Sequence, residues 1–193
     1  EESRVTKMTT EEAFVKVLQM HGIEHAFGII GSAMMPVSDL FPKAGISFWD
    51  CAHECNAGMM ADGYSRASGK MSMAIAQNGP GITNFVTGIG AAMGAHSPVV
   101  CITPEAGTLT KGHGGFQECD QIPMFSTITK GQFHVNHPAR MAEFTGLAFD
   151  TALRTRGPTQ LNIPRDYFYG EHKFLIPEPL DVSLTRTPGN MTQ

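Results

Sequence analysis

The sequence predicts an α/β protein, a parallel sheet of about six strands with helices on both faces. Two observations support this fold class. Short apolar segments alternate with longer segments of helical periodicity, and glycine-rich turns separate them. The 193 residues suit a single domain, and a hydrophobic content of 41% can supply a sizeable core.

The first half of the chain contains three of the expected strands. Thr9 and Glu12 have the spacing of a capping box, which predicts a helix that ends near Gly22. The apolar segments at 25–30, 46–50 and 71–76 are predicted to be strands. The helices expected after them are residues 33–42, residues 54–69 and a Gly- and Ala-rich segment that reaches about residue 96.

The second half adds strands at 98–103, 127–135 and 159–163, and a helix at 138–155 that ends before Gly157 and Pro158. A polar loop, residues 105–121, follows the first of these strands. We assign residues 8–170 to the sheet domain. Residues 171–193, rich in Pro, Thr and Gly after Pro177, are interpreted as a linker to further domains.

Composition argues against several classes of protein. The net charge of −4, the pI near 6.0 and the lack of a Lys/Arg run argue against nucleic-acid binding. The longest uncharged stretch, residues 71–104, is too polar for a membrane span, and no secretory signal is recognised. We expect buried free thiols in a reducing cytoplasm, because the metal-like spacing of the first two cysteines has no second ligand pair. The four are Cys51, Cys55, Cys101 and Cys119.

Three turns follow predicted strands and should therefore meet at the carboxyl edge of the sheet, where α/β proteins bind ligands. They lie around residues 30–32, 53–54 and 78–81. The second carries a lone carboxylate, Glu54, at the start of a helix of small residues. Position alone leaves two interpretations open. Glu54 is either stabilised by the helix dipole or transfers a proton in a site.

Other motifs do not fit their templates. Residues 63–70 resemble a phosphate-binding loop, but five residues separate the glycines and Met71 replaces the required Ser or Thr. Residues 63–67 resemble a nucleophile elbow, but the motif ends in Ala67 and lies inside a predicted helix. No Gly-x-Gly-x-x-Gly motif follows the first strand, so a dinucleotide site is not expected.

Several segments resemble, in order and spacing, the N-terminal pyrimidine-binding domain of thiamine-diphosphate enzymes of the acetolactate-synthase group. The segments are 27–31, 53–70, 78–84, 116–118, 157–158 and 163–166. Segments 8–15, 28–36, 48–54 and 164–168 resemble the sulfoacetaldehyde acetyltransferase branch more than the acetolactate synthases. The resemblance implies a cytoplasmic enzyme that uses thiamine diphosphate and Mg²⁺ to convert sulfoacetaldehyde and phosphate into acetyl phosphate and sulfite.

The resemblance also implies roles for individual residues. Glu54 is the expected catalytic carboxylate, hydrogen-bonded to the pyrimidine ring of the cofactor. The expected cofactor-binding residues are Ile29, Ile30, Gly31, Glu54, Asn78, Gly79, Pro80, Gly81 and Asn84. Phe116 and Gln117 match a family segment that faces the substrate. Four basic residues are further substrate candidates because their side chains could bind a sulfonate or phosphate: His53, His113, Lys130 and Arg165. The alternatives are a buried strand end at 29–31, an ordinary turn at 78–81, a surface loop at 116–117, and structural or solvated basic residues.

Enzymes of this group hold Mg²⁺ and the diphosphate with a Gly-Asp-Gly segment and a later Asn, and the sequence contains no Gly-Asp-Gly. We therefore expect no metal ligands in this chain. Its expected partner is a diphosphate-binding domain or subunit within a homodimer or tetramer, so the chain would be a fragment or a split subunit. The alternative functions are an acetolactate synthase, a sulfopyruvate-type decarboxylase with split subunits, and a non-catalytic assembly or regulatory module.

Overall fold

The computed structural model describes residues 4–185 and contains a six-stranded sheet with helices on both faces, which confirms the predicted fold class. Its strands are β2 (His25–Gly28), β3 (Ser47–Asp50), β4 (Ser72–Ile75), β5 (Val99–Glu105), β6 (Gln132–His134) and β7 (Thr159–Pro164). The spatial order is β3-β2-β4-β5-β7-β6, and every neighbouring pair is parallel. The six predicted strands correspond to β2–β7.

The helices divide between the two faces of the sheet. They are α1 (Thr10–Met20), α2 (Met35–Ser38), α3 (Phe41–Ala44), α4 (Glu54–Ser68), α5 (Pro80–Thr83), α6 (Val86–Gly94), α7 (Gln121–Phe125) and α8 (Met141–Thr155). Side chains of α1, α2, α3 and α8 form one buried cluster, and those of α4–α7 form the other. Strand β4 contributes to both clusters because side chains alternate along a strand. Met73 and Ile75 face the first cluster, and Ala74 and the residue after the strand, Ala76, face the second.

Capping explains where the first helix begins. Thr9 Oγ1 accepts from the backbone N–H of Glu12 at 3.3 Å, and the Glu12 carboxylate accepts from the backbone N–H of Thr9 at 3.0 Å. The predicted capping box is therefore confirmed.

Two segments that were each predicted to form one continuous helix are divided in the structure, so these two predictions are wrong. Residues 33–42 form α2 and α3, each with a proline near its start, because proline lacks the N–H that would continue the preceding helix. Residues 80–94 also form two helices, α5 and α6, although no proline lies at the break between them.

Two strands that the sequence analysis did not predict form a small antiparallel sheet. β1 (Val5–Thr9) pairs with β8 (Glu171–Leu175), and Lys7 Nζ lies 2.7 Å from a Glu171 carboxylate oxygen. The first five residues of the segment interpreted as a linker are thus a strand, a correction to that interpretation. Beyond β8 the chain crosses α8, where Pro177 packs on Gly146. The boundary at residue 170 stays a prediction, and residues 186–193 lie outside the described range.

The four cysteines are free thiols, as predicted. Only Cys101 is buried, and the other three are partly exposed, so the expectation of four buried thiols is wrong. Burial raises the pKa of both the Cys101 and the Cys51 thiols, which keeps them in the unreactive protonated form. No helix between residues 4 and 185 is long and apolar enough to cross a membrane.

Candidate active site

The three turns singled out in the sequence meet at one edge of the sheet. β2 lies between β3 and β4, and all three strands end at the same side because they are parallel. Cys51, after β3, directs its sulfur to the carbonyl oxygens of Gly28 at 3.5 Å and His53 at 3.1 Å. This contact joins the end of β2 to the turn that leads into α4.

Glu54 is the first residue of α4 and faces the turn that follows β4. The preceding residue, His53, has extended backbone, and its Nδ1 accepts from the backbone N–H of Cys55 at 3.1 Å, which caps the helix. The Glu54 carboxylate is half-buried, and its Oε2 accepts from Asn84 Nδ2 at 2.9 Å. A Cβ on Gly81 would lie 3.2 Å from Oε1. A glycine and an amide therefore enclose the carboxylate from one side.

The second carboxylate oxygen of Glu54 remains available. Among residues 4–185, no group donates a hydrogen bond to Oε1. No buried side-chain oxygen or nitrogen in that range lacks a partner, so Oε1 is in contact with solvent. An acceptor held on one oxygen and open on the other can take an N–H or N–H⁺ donor from a bound molecule.

The turn at 78–81 is clamped onto the loop that follows β5. Gly79 has φ +72° and ψ −115°, and its N–H donates to Gln121 Oε1 at 2.8 Å. The buried Asn78 side chain donates to the carbonyl oxygens of Phe116 and Gln117, both at 3.1 Å. A Cβ on Gly79 would lie 2.2 Å from the Gln117 oxygen, so only glycine allows this approach. The segment is thus more than an ordinary turn from strand to helix.

Gln77, which the sequence analysis did not select, links the turns after β2 and β4. Its Oε1 accepts from the backbone N–H of Ala33 at 2.9 Å, and its Nε2 donates to Gln117 Oε1 at 3.1 Å. A Cβ on Gly31 would lie 2.4 Å from Gln77 Oε1, so this glycine is required for the contact. The sequence signal available for Gln77 was its position directly before the glycine turn.

The two isoleucines after β2 give this edge an apolar surface. Ile29 is half-buried and Ile30 is 52% exposed. The alternative interpretation, a buried strand end, therefore does not apply to Ile30. An exposed isoleucine at the edge that carries Glu54 suits contact with an apolar part of a ligand.

Two of the predicted substrate residues on the loop after β5, Phe116 and Gln117, contact the clamped turn. Phe116 is 68% exposed, and Gln117 has φ +54° where it meets Asn78 and Gly79. His113 is exposed and lies earlier in the same loop. The loop is braced internally by Glu118, whose carboxylate accepts from the backbone N–H groups of Gly112 and Gly115. These hydrogen bonds hold the pKa of the exposed Glu118 carboxyl below its usual range.

The two remaining basic candidates occupy different edges of the sheet. Arg165 follows β7 at the carboxyl edge, and a Cβ on Gly107 would lie 3.8 Å from its Nε. Lys130 precedes β6, its backbone N–H donates to Pro158 before β7, and its aliphatic chain packs over Gly157. Lys130 therefore lies at the amino edge, and the structure does not bring it together with Glu54.

A buried group of amides supports the clamped loop and was not predicted. Gln121 donates through Nε2 to the carbonyl oxygen of Pro104 at 2.9 Å and to Asn162 Oδ1 at 3.1 Å. Asn162 also accepts from Thr103 Oγ1 at 2.8 Å. Nearby, the buried Glu105 pairs with Lys111 at 2.9 Å. Isolated Gln and Asn residues on strands and loops give no local sequence signal for such a network.

Within residues 4–185 there is no group of three or more His, Cys, Asp or Glu side chains arranged to hold a metal ion. The site at the carboxyl edge is formed by one carboxylate, one amide, a glycine turn, the half-buried Ile29 and the exposed Ile30. Such a surface can hydrogen-bond and stack against a flat polar ring.

Comparison with known proteins identifies the family. Residues 8–124 match the family model described as "Thiamine pyrophosphate enzyme, N-terminal TPP binding domain". The chain is 64% identical over 162 residues to a probable sulfoacetaldehyde acetyltransferase of Rhizobium meliloti, which covers 84% of this chain and 27% of that protein. It is 58% identical over 180 residues to the sulfoacetaldehyde acetyltransferase of Roseovarius nubinhibens, with 93% of this chain and 30% of that protein covered.

A probable acetolactate synthase large subunit of Methanocaldococcus jannaschii is 36% identical over 179 residues, with 91% of this chain and 30% of that protein covered. The chain thus spans about three tenths of the length of these relatives. The family match covers more than half of the chain. The chain therefore belongs to the thiamine pyrophosphate enzymes and contains their N-terminal TPP-binding domain.

Proposed function

We propose that the complete protein carrying this chain is a sulfoacetaldehyde acetyltransferase that converts sulfoacetaldehyde and phosphate into acetyl phosphate and sulfite. The observation that carries the proposal is the Glu54 carboxylate, with Oε2 held by Asn84 and Oε1 open beside Gly81. The similarity to sulfoacetaldehyde acetyltransferases, greater than that to acetolactate synthases, supports the substrate. We expect the enzyme to act in the cytoplasm.

The residues at the carboxyl edge fit the aminopyrimidine half of thiamine diphosphate. A carboxylate oxygen with no partner suits the ring nitrogen N1′, and the lack of a side chain at Gly81 keeps Oε1 uncrowded, since a Cβ there would lie 3.2 Å from it. Ile29 and Ile30 supply apolar surface, and Gly31, Asn78, Gly79 and Pro80 form the adjoining walls. When bound, thiamine diphosphate supplies a thiazolium carbon that becomes nucleophilic after it loses its proton.

Glu54 acts in this proposal as the proton-holding group at N1′. Glu54 Oε1 would accept a charge-assisted hydrogen bond from N1′, and this bond would favour the form of the ring whose amino nitrogen can take a proton from the thiazolium carbon. Hydrogen bonds to charged groups contribute about 1.5–3 kcal/mol to stability, and a bond that strengthens during reaction contributes to rate as well.

The chain contains only part of the proposed site. It spans about three tenths of its relatives, so we infer that a further domain or subunit binds the diphosphate and Mg²⁺. We propose that this part lies across a subunit contact in a homodimer or tetramer. Phe116, Gln117, His53, His113 and Arg165 are proposed to face the small-molecule substrate. Lys130, at the opposite edge, is not carried into this proposal.

The test compares two glutamates that each lie in the first turn of a helix. Glu54→Gln in the complete protein, with saturating thiamine diphosphate and Mg²⁺, should lower sulfite and acetyl phosphate production by about 100-fold or more, as expected for loss of a proton-transfer group. Glu11→Gln in the first turn of α1 is the matched control and should leave the rate unchanged. Near-normal turnover of the Glu54→Gln protein would contradict the proposal.

The same assay separates the alternative functions. Carbon dioxide release from pyruvate or sulfopyruvate, without sulfite and acetyl phosphate from sulfoacetaldehyde, would favour acetolactate synthase or a sulfopyruvate-type decarboxylase. Mass spectrometry of the purified assembly identifies the rest of the site. An assembly without any polypeptide containing a Gly-Asp-Gly segment would favour a non-catalytic module.

A further inference from the structure

The side chain of Asn84 contacts one oxygen of Glu54 and leaves the other free. Its Nδ2 lies 2.9 Å from Oε2, and no group among residues 4–185 donates to Oε1. Both residues are half-buried. The resemblance stated in the sequence analysis predicts that Asn84 binds the cofactor, whereas the geometry directs its amide at the Glu54 carboxylate.

The backbone around Asn84 is fixed by the turn that also borders Oε1. Asn84 caps α5, its N–H donates to the carbonyl oxygen of Pro80 at 3.2 Å, and the next residue, Phe85, is fully buried. Gly81, whose Cβ would lie 3.2 Å from Oε1, belongs to the same short helix. One structural unit therefore sets both the donor for Oε2 and the open space at Oε1.

We propose that Asn84 is a positioning residue that holds the Glu54 carboxylate so that Oε1 faces the pyrimidine N1′. This inference rests on the proposed function. A glutamate side chain has several rotatable bonds, and holding it in one orientation costs conformational entropy at each binding event unless a second contact has already fixed it. A carboxamide N–H can only donate to the carboxylate, so it orients Glu54 without competing for the proton that Glu54 holds.

The test uses the complete protein with thiamine diphosphate and Mg²⁺. Two readouts are measured: the cofactor dissociation constant by calorimetry, and the deuterium exchange rate of the thiazolium C2 proton of the bound cofactor by acid quench and NMR. Asn84→Ala should slow this exchange by about tenfold, as expected when a hydrogen bond to a charged group is removed. Asn84→Asp keeps the shape but places a second carboxylate against Oε2, and should slow the exchange further.

A double-mutant cycle separates positioning from a general structural role. If Asn84 acts through Glu54, Asn84→Ala should have no further effect on the residual exchange rate in a Glu54→Gln protein. Thr83→Ala is the matched control, because it removes a side-chain hydrogen bond to the Pro80 carbonyl oxygen in the same turn without touching Glu54. Its exchange rate should equal that of the unmodified protein.

The outcomes distinguish this inference from the proposed function. An equal slowing by Asn84→Ala in both backgrounds, or normal exchange in both Asn84 variants, would overturn the positioning role while leaving Glu54 as the proton-holding group. Normal C2 exchange in Glu54→Gln would overturn the proposed function itself. If Asn84→Ala lowers the melting temperature, C2 exchange in the isosteric Asn84→Asp variant and in the double-mutant cycle still tests whether Asn84 positions Glu54.

Discussion

The backbones of Gly58 in α4 and Gly88 in α6 touch where the two helices cross. A Cβ on Gly58 would lie 3.1 Å from Gly88 Cα, and a Cβ on Gly88 would lie 2.9 Å from the carbonyl oxygen of Cys55. Cys55 directly follows Glu54. The closeness of the two helices therefore determines where the first turn of α4, and the carboxylate on it, stands relative to the turn after β4.

We expect Gly88→Ala to separate these helices. The new methyl group meets backbone atoms that cannot rotate away, and overpacking of this kind costs about 1–3 kcal/mol in the free energy of unfolding. Urea denaturation measures the loss. Gly90→Ala, on the same helix, is the control, because its Cβ would have only ordinary contact with Ile128 at 3.8 Å.

The Gly90→Ala protein should be unchanged or more stable by about 0.5–1 kcal/mol, because alanine favours a helix interior over glycine. Equal stability of the Gly88→Ala and Gly90→Ala proteins would mean that the crossing is not as tight as the Gly58 contact indicates. Under the proposed function, Gly88→Ala should also lower turnover of the complete protein, because α4 carries Glu54.

We expect the buried side chain of Gln121 to stabilise the clamped turn. Its side chain is buried, accepts from the Gly79 N–H at 2.8 Å and donates to the Pro104 carbonyl oxygen at 2.9 Å. Gln121→Leu leaves both backbone groups without these partners, and an unsatisfied buried group costs about 1–3 kcal/mol. Urea denaturation should show this loss, and amide exchange at Gly79 should accelerate.

Gln19→Leu is the matched control for this change. Gln19 also hydrogen-bonds a carbonyl oxygen, that of Ala44 at 3.2 Å, but it is exposed. Water replaces its lost contact, so stability should change by no more than about 0.5 kcal/mol. If both variants lost the same stability, the burial of Gln121 would not be the cause.

The strands and the position of Glu54 were predictable because their signals are local. Apolar segments of strand length, a capping box and turns of glycine and asparagine can be recognised within a few residues. Gln121 could not be found in this way, because its partner Gly79 lies 42 residues earlier in the chain. A pairing at that distance depends on the order of strands in space, which the sequence does not state.

Lys130 illustrates the same limit. It was selected as a basic residue suited to an anionic substrate, but it precedes β6 and donates its backbone N–H to Pro158, which precedes β7. Residues before parallel strands lie at the amino edge and residues after them at the carboxyl edge. Arg165, which follows β7, is on the same edge as Glu54 for that reason.

We expect the order of the loop that carries Phe116 to depend on pH through the ionisation of Glu118. Its carboxylate accepts from the backbone N–H groups of Gly112 and Gly115, and these bonds lower its pKa. A carboxyl whose pKa is lower in the folded protein stabilises the fold above the unfolded value, about 4.3 for glutamate. This contribution is lost as the pH falls through the folded pKa.

We therefore expect the loop to loosen in acid. The amide proton shift of Gly115, followed by NMR, should move with a midpoint below about 4.3, the unperturbed glutamate value. Glu118→Gln removes the titrating group and should abolish this transition while other carboxylates still titrate. A midpoint at or above the unperturbed value would contradict the role of the two glycine N–H groups, since a carboxylate that accepts them must be harder to protonate than a free one.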